Sequence, residues 1–171
     1  MSRRTRVLLQ VFGVIAATFA GFVLLQGPAR HAEAQVATDV VRVGAGNRAR
    51  TVGASSIEVL PSGHEPFRAI VTPSCSSIGS LLALGCLGVL ARRRRRALWA
   101  TVAAMVTVAA GNILRIAASL GIGLVAGRAS LVLFHDWVGS MFGFAYTLGG
   151  FLLLLTLLLP PTRSRLQAVA A

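Results

Sequence analysis

The chain has 171 residues, of which 55% are hydrophobic and only 13% are charged, and its mean hydropathy is +0.74. Ordinary globular domains contain about 25% charged residues, so this composition excludes a typical soluble domain, a disordered tail and a fibrous repeat. It indicates an integral membrane protein. The basic residues are all arginine and give a net charge of +12, and most of them flank apolar stretches, which is typical of membrane topology.

Four apolar segments follow one another along the chain, each with roughly the 20 residues that a helix needs to cross a hydrocarbon core. Only helices satisfy their own backbone groups in lipid at this length, so each segment is predicted to be a transmembrane helix. The segments are 7–26, 72–91, 97–116 with a weaker glycine-rich continuation to 126, and 137–159. The predicted fold is therefore an all-α membrane protein, a four-transmembrane-helix bundle with a small extracytoplasmic segment.

Residues 27–71 form the polar stretch and carry four of the five acids. β-Branched runs at 36–43 and 56–60 predict short strands, and the glycines and prolines between them predict turns. The stretch is short for an independent core, so we expect it to pack on the bundle as a cap or hairpin. The predicted organisation has four parts: an N-terminal transmembrane helix (1–26), the extracytoplasmic segment (27–71), a three-helix core (72–159) and a cytoplasmic tail (160–171).

The first apolar segment has two interpretations. A basic start, an apolar run and the sequence Ala32-Glu33-Ala34 are typical of a signal peptide with its cleavage site. The apolar run is longer than the usual length of about 7–15 residues, which favours an uncleaved anchor. Both interpretations place residue 27 and those after it outside the cytoplasm.

Three arginine clusters set the predicted orientation. They are Arg3, Arg4 and Arg6 before the first segment, Arg92–Arg96 after the second, and Arg163 and Arg165 after the fourth. A four-pass chain places all three clusters on one side, and the positive-inside rule makes that side the cytoplasm. The sequence thus predicts a multi-pass plasma-membrane protein with both termini cytoplasmic, and the arginine clusters are interpreted as topology anchors and not as a binding site for anionic lipid or nucleic acid. Membrane lipid is an expected partner of the protein, and nucleic acid is not.

Polar residues at the outer ends of the apolar segments form the candidate site. Counting about 20 residues from each cytoplasmic boundary puts Cys75, Arg115 and His135 at one depth in the membrane. Depth does not predict lateral proximity. Cys86 has apolar neighbours and is interpreted as packing. On one helix the two cysteines would lie about 16 Å apart, which is too far for a disulfide.

Each of the three residues also has a simpler interpretation. Cys75 fits a small interior residue, Arg115 a side chain that reaches to the interface, and His135 an ordinary interfacial histidine. However, Cys75 lies in a polar sequence that opens a helix, and Asn112 precedes Arg115 on the same helical face. Thiolate attack on a peptide carbonyl needs a thiol, a base and an oxyanion donor, and these three residues supply that set. No HExxH or paired CxxC motif occurs, so no metal or other cofactor is predicted.

Three short motifs resemble the exosortase/archaeosortase family of membrane-embedded protein-sorting enzymes. They are Cys75-Ser76-Ser77 at the start of one helix, Asn112-Ile113-Leu114-Arg115 at the end of the next, and Phe134-His135-Asp136-Trp137 before the last. The order and spacing of these motifs are similar to the family over residues 70–159. Ser77 stands where the family motif has glycine, and the predicted helices are fewer than many relatives have.

The resemblance implies that Cys75 is the nucleophile, that Arg115 and His135 complete the site, and that Asn112 and Ser76 support it. It implies a cysteine peptidase or transpeptidase that cleaves C-terminal sorting signals of exported proteins on the extracytoplasmic side. Such a signal consists of a short recognition motif, an apolar helix and a basic tail, and the acceptor is left open. The alternative is a non-catalytic membrane assembly or scaffold protein. A small transporter with an anion site is disfavoured, because no inverted pair of broken segments is evident.

Overall fold

The computed structural model describes residues 3–91 and 96–159, most of which are helical. The elements in chain order are α1 (Arg3–Ala45), β1 (Ala49–Thr51), β2 (Ser56–Val59), β3 (Phe67–Ile70), α2 (Ile78–Leu90), α3 (Ala97–Asp136) and α4 (Val138–Leu158). Short 3-10 turns, Gly46–Arg48 and Pro73–Cys75, precede β1 and α2. Four arginines of the second cluster (92–95) and the whole predicted tail (160–171), with Arg163 and Arg165, lie outside the described residues.

Three of the helices, α1, α3 and α4, are long and apolar enough to cross a membrane, which is compatible with the predicted helical membrane protein. The second predicted span is shorter than expected, because α2 has only 13 residues, or about 20 Å of helix. Pro73 and the serines around Cys75 occupy the start of the predicted span, and serine side chains compete with helical hydrogen bonding. The Ser76 hydroxyl accepts the N–H of Ile78, where α2 begins, at 3.3 Å. A count of four spans stays a prediction.

The first helix is longer than predicted. The helix does not end at residue 26, since α1 continues through Pro28 to Ala45, and the strand predicted at 36–43 is wrong for this reason. The β-branched Val36 and Val40 stay exposed. The residues that turn inward at helical spacing are small or polar, namely Glu33, Ala34, Ala37 and Thr38. This stripe packs closely on the rest of the protein, and tertiary packing overrides the β-propensity of the valines.

The three strands form an antiparallel sheet in the order β1-β2-β3, so the strand predicted at 56–60 is confirmed. Ile57 and Val59 of β2 point into the core, where they pack with the alanines of α1 and with Ile116 and Leu120 of α3. The sheet therefore lies between the second half of α1 and α3. After β3 the chain continues directly into the turn that carries Cys75.

Helix α3 is broken at Gly127. This residue has φ 79° and ψ −177°, a backbone conformation that is open essentially to glycine alone. After the break the chain folds back, because a methyl group at Gly123 would lie only 2.8 Å from the Leu131 side chain. In a continuous helix residues 123 and 131 would be about 12 Å apart along the axis. The segment 128–136 thus returns alongside the helix that precedes it.

Glycines also allow the helices to approach one another closely. A methyl group at Gly111 of α3 would lie 2.6 Å from Tyr146 of α4, and one at Gly150 of α4 would overlap Val108 of α3. Gly111 and Gly150 therefore serve as close-packing residues between the two helices. Cys86 of α2 lies at the contact with α1, where its Sγ is 2.8 Å from the Thr18 hydroxyl. Both cysteines are free.

Candidate active site

Cys75 ends the short turn between β3 and α2. Pro73 starts the turn, and the backbone N–H of Cys75 donates to the carbonyl oxygen of Thr72 at 3.0 Å. The Thr72 hydroxyl also donates to the Cys75 Sγ at 3.0 Å and lies 2.8 Å from the Ser74 hydroxyl. Thr72, at the start of the same turn, therefore holds the Cys75 thiol in place through this hydrogen bond.

His135 approaches the same sulfur from α3. Its Nε2 lies 3.2 Å from the Cys75 Sγ and 3.3 Å from Nη2 of Arg115. Arg115 and His135 are 20 positions apart on α3, which would separate them by about 30 Å in a continuous helix. The break at Gly127 removes this separation. The three residues that the sequence placed at one depth are therefore in direct contact.

Arg115 is 9% exposed, and its side chain lies against a glycine face of α4. A methyl group at Gly139 would be 3.2 Å from Nε, and one at Gly143 would be 3.7 Å from Nη1. Nε is buried and has no hydrogen-bond partner among the described residues. The GxxxG sequence of α4 therefore makes room for a guanidinium as well as for a helix.

A second polar cluster lies beside these residues and centres on Glu33 of α1. Its Oε1 accepts hydrogen bonds from the Ser77 N–H at 2.9 Å, the Ser77 hydroxyl at 2.6 Å and Nδ2 of Asn112 at 3.0 Å. Oδ1 of Asn112 in turn accepts the Tyr146 hydroxyl at 2.9 Å. Glu33, Ser77 and Asn112 are all buried. The cluster thus joins α1, α3 and α4 to the residue two positions after Cys75.

The sequence predicted Asn112 and Ser76 as supporting residues. In the structure each of them has a hydrogen-bond partner outside the trio of Cys75, Arg115 and His135. Asn112 belongs to the Glu33 cluster, and Ser76 caps α2. Sequence reasoning missed Glu33, Ser77, Tyr146 and Thr72 as site residues. A signal existed for one of them, because Tyr146 is the single tyrosine in the chain and lies in an apolar helix, where a buried hydroxyl needs a partner.

The surroundings of Cys75 favour its thiolate. Burial raises the pKa of the thiol, but the hydrogen bonds of His135 and Thr72 and the charge of His135 act in the opposite direction and outweigh it. The pKa of Cys75 consequently lies at about 6 instead of 9.0. The thiolate is the nucleophilic form of cysteine, so this residue is prepared to react at neutral pH.

A cavity of about 300 Å³ opens beside the thiol. Cys75 and His135 line it at one end, and β3 forms one wall along its whole length. The opposite wall comes from α3 on both sides of the break, including Ile116, Leu120 and Leu131. The thiol of Cys75 and the imidazole of His135 are therefore accessible from a space bounded by a strand and a helix.

The alkylation rate of Cys75 should report its lowered pKa. In a Cys86→Ala protein treated with iodoacetamide, the rate should rise with pH to a midpoint near 6 and then level off, because the folded thiol loses its proton there. His135→Gln removes the interaction that lowers the pKa and leaves the burial that raises it, so the midpoint should move upward. A midpoint near 9 in the protein with an intact His135 would contradict the prediction.

No group of three histidine, cysteine or acidic side chains is placed to hold a metal ion within the described residues. Comparisons of the chain with protein-family models, with curated proteins and with solved structures find no match. The assignment of a function consequently depends on the geometry of the site.

Proposed function

We propose that this protein is a membrane-embedded cysteine peptidase or transpeptidase that cleaves C-terminal sorting signals of exported proteins on the extracytoplasmic side. The observation that carries the proposal is the contact of 3.2 Å between the Cys75 Sγ and Nε2 of His135, with Arg115 3.3 Å behind that nitrogen. A thiol within hydrogen-bond reach of a base is the arrangement that activated cysteine nucleophiles use, and a nearby arginine favours the thiolate.

The contacts of His135 couple proton transfer to the availability of Arg115. An unprotonated Nε2 offers one lone pair, which can accept the N–H of Arg115 or the proton of Cys75. Once the thiol proton moves to Nε2, this nitrogen donates to the thiolate and no longer accepts from Arg115. The Nη2 donor is then released, and an adjacent oxyanion can take its hydrogen bond.

The chemistry follows in two half-reactions. The Cys75 thiolate attacks the carbonyl carbon of the scissile peptide bond and forms a C–S bond, and the carbonyl oxygen becomes an oxyanion that Arg115 stabilises. The C–N bond then breaks, and Nε2 of His135 gives its proton to the leaving amine. Water or an acceptor nucleophile then attacks the thioester and passes its proton to Nε2, the C–S bond breaks, and the sulfur leaves as the thiolate of Cys75 beside the protonated His135.

Four spans fit the proposed topology, although α2 is short. With the N-terminus in the cytoplasm, the sheet, the Cys75 turn and the start of α4 lie on the outer side, and the arginine clusters lie inside. Trp99 near the start of α3 and Trp137 just before α4 are both 73% exposed. Tryptophans are enriched at both membrane interfaces, so this pair is consistent with the inner and the outer boundary.

The proposal is tested by comparing the envelope proteins of the source cell with and without this protein. Exported proteins that end in a motif, an apolar helix and a basic tail should be shortened only when it is present. The purified protein in liposomes should then cleave a synthetic peptide that spans one of these cleavage points. Unchanged C-termini in the cells, or an intact peptide in the liposomes, would overturn the proposal.

A further inference from the structure

The outer edge of β3 is unpaired among the described residues. The sheet order β1-β2-β3 leaves β3 at one end, and the Val71 N–H donates to the Ser55 carbonyl oxygen at 2.9 Å. Backbone groups alternate in direction along an antiparallel strand. Because Val71, Ala69 and Phe67 hydrogen-bond toward β2, the N–H and C=O groups of Arg68 and Ile70 point away from the sheet.

This edge forms a wall of the cavity that contains the thiol. Arg68 and Ile70 line the cavity together with Cys75 and His135, and Cys75 follows the end of β3 by five residues in the chain. The opposite wall is formed by side chains of α3, several of them apolar, such as Leu131 and Val132. One more strand would lie about 4.8 Å from β3, within this space.

We infer that the edge of β3 is the binding site for the substrate, which adds to the sheet as a fourth, extended strand. This inference rests on the proposed function and names how its substrate is held. Unpaired, outward N–H and C=O groups at two-residue spacing complement the backbone of an extended peptide. The groups of Arg68 and Ile70 supply two donors and two acceptors, and the added strand ends beside Cys75. The side chains of the peptide then alternate between the apolar wall and solvent.

The test removes one outward N–H without removing a hydrogen bond of the sheet. Ile70→Pro deletes the amide that faces the cavity, and proline is tolerated in an edge strand at such a position. KM for the cleaved peptide should rise about three- to tenfold over that of Ile70→Ala, which has lost the same side chain but keeps the amide. The kcat should change less than KM, and the alkylation midpoint of Cys75 should not move.

Thr51→Pro, compared with Thr51→Ala, is the matched control, because Thr51 lies on β1 at the opposite edge of the sheet and both variants lose the hydroxyl that donates to Thr38 at 3.2 Å. Its N–H also faces away from β2, since Val52 donates to Ser56 at 2.7 Å and direction alternates. KM should stay at its original value in this variant.

In the peptide, N-methylation should weaken binding at every second position. The inference would be overturned if N-methylation weakened binding equally at every position, or if Ile70→Pro and Ile70→Ala had equal KM values. In either case cleavage itself would still support the proposed function. Absence of cleavage by the unaltered protein would overturn both the inference and the function.

Discussion

Replacing Cys75 by alanine is expected to abolish cleavage of a sorting-signal peptide, with a loss of at least about a thousandfold in kcat/KM. Without the sulfur no covalent intermediate forms. The measurement is the rate of peptide cleavage by the purified variant in liposomes. The variant should fold, because the Cys75 side chain is only partly buried and its loss leaves the Glu33 cluster intact.

The chain supplies a matched control in its second cysteine. Cys86 lies at the contact of α2 with α1, where its hydrogen-bond partner is the hydroxyl of Thr18. Cys86→Ala should therefore leave kcat/KM close to its original value. If both variants retained full function in the cell, the chemistry of Cys75 would be unnecessary, and a membrane assembly or scaffold role would be favoured instead.

Substitutions of His135 and of Arg115 are expected to affect this chemistry in different ways. Loss of His135 removes the proton acceptor and raises the pKa of Cys75, so its effect should be strongest at low pH, where the thiol of that variant is protonated. Arg115 contacts His135 and does not contact the sulfur in the described structure. In the proposed mechanism its contribution lies in holding the imidazole while Nε2 is unprotonated and in binding the oxyanion once Nε2 carries the thiol proton.

The sequence placed the three candidate residues at one depth, but it did not predict how they meet. Counting residues from the arginine clusters placed Cys75, Arg115 and His135 at one depth in the membrane. This was possible because the length of an apolar segment and the positions of the arginines can be read from the sequence. Their contact depends on the break at Gly127, and a glycine in a glycine-rich helix does not reveal by itself that it has a positive φ. The lateral arrangement was therefore a result of tertiary structure.

In the second part of α1 the sequence led to a wrong prediction of the local structure. Its valines favoured a strand, and Ala32-Glu33-Ala34 fitted a cleavage motif, so Glu33 was assigned to a polar surface segment. In the structure the alanines form a buried stripe, and the same helical spacing carries Glu33 into the core. Ser77 stands where the motif of the resembled family has glycine. It is compatible with this site because both its N–H and its hydroxyl donate to Glu33. A glycine would provide only the N–H.

Glu33→Ala is expected to destabilise the protein strongly. It leaves three buried donors without an acceptor, namely the N–H and hydroxyl of Ser77 and the amide of Asn112. Each unsatisfied buried group costs about 1–3 kcal/mol, so the free energy of unfolding should fall by about 3 kcal/mol or more. Thermal unfolding in detergent micelles should show this as a drop of roughly 6–12 °C in Tm.

Two variants isolate the cause of that loss. Glu33→Gln keeps a carbonyl oxygen as acceptor for the same donors and should lower Tm much less, while Glu65→Ala removes an exposed acid and should leave Tm unchanged. Because Ser77 lies two residues after Cys75, Glu33→Ala should also loosen the contact of the thiol with His135 and raise the alkylation midpoint of Cys75. Equal Tm values for the alanine and glutamine variants at position 33 would contradict this account, since the acceptor oxygen is the feature that distinguishes them.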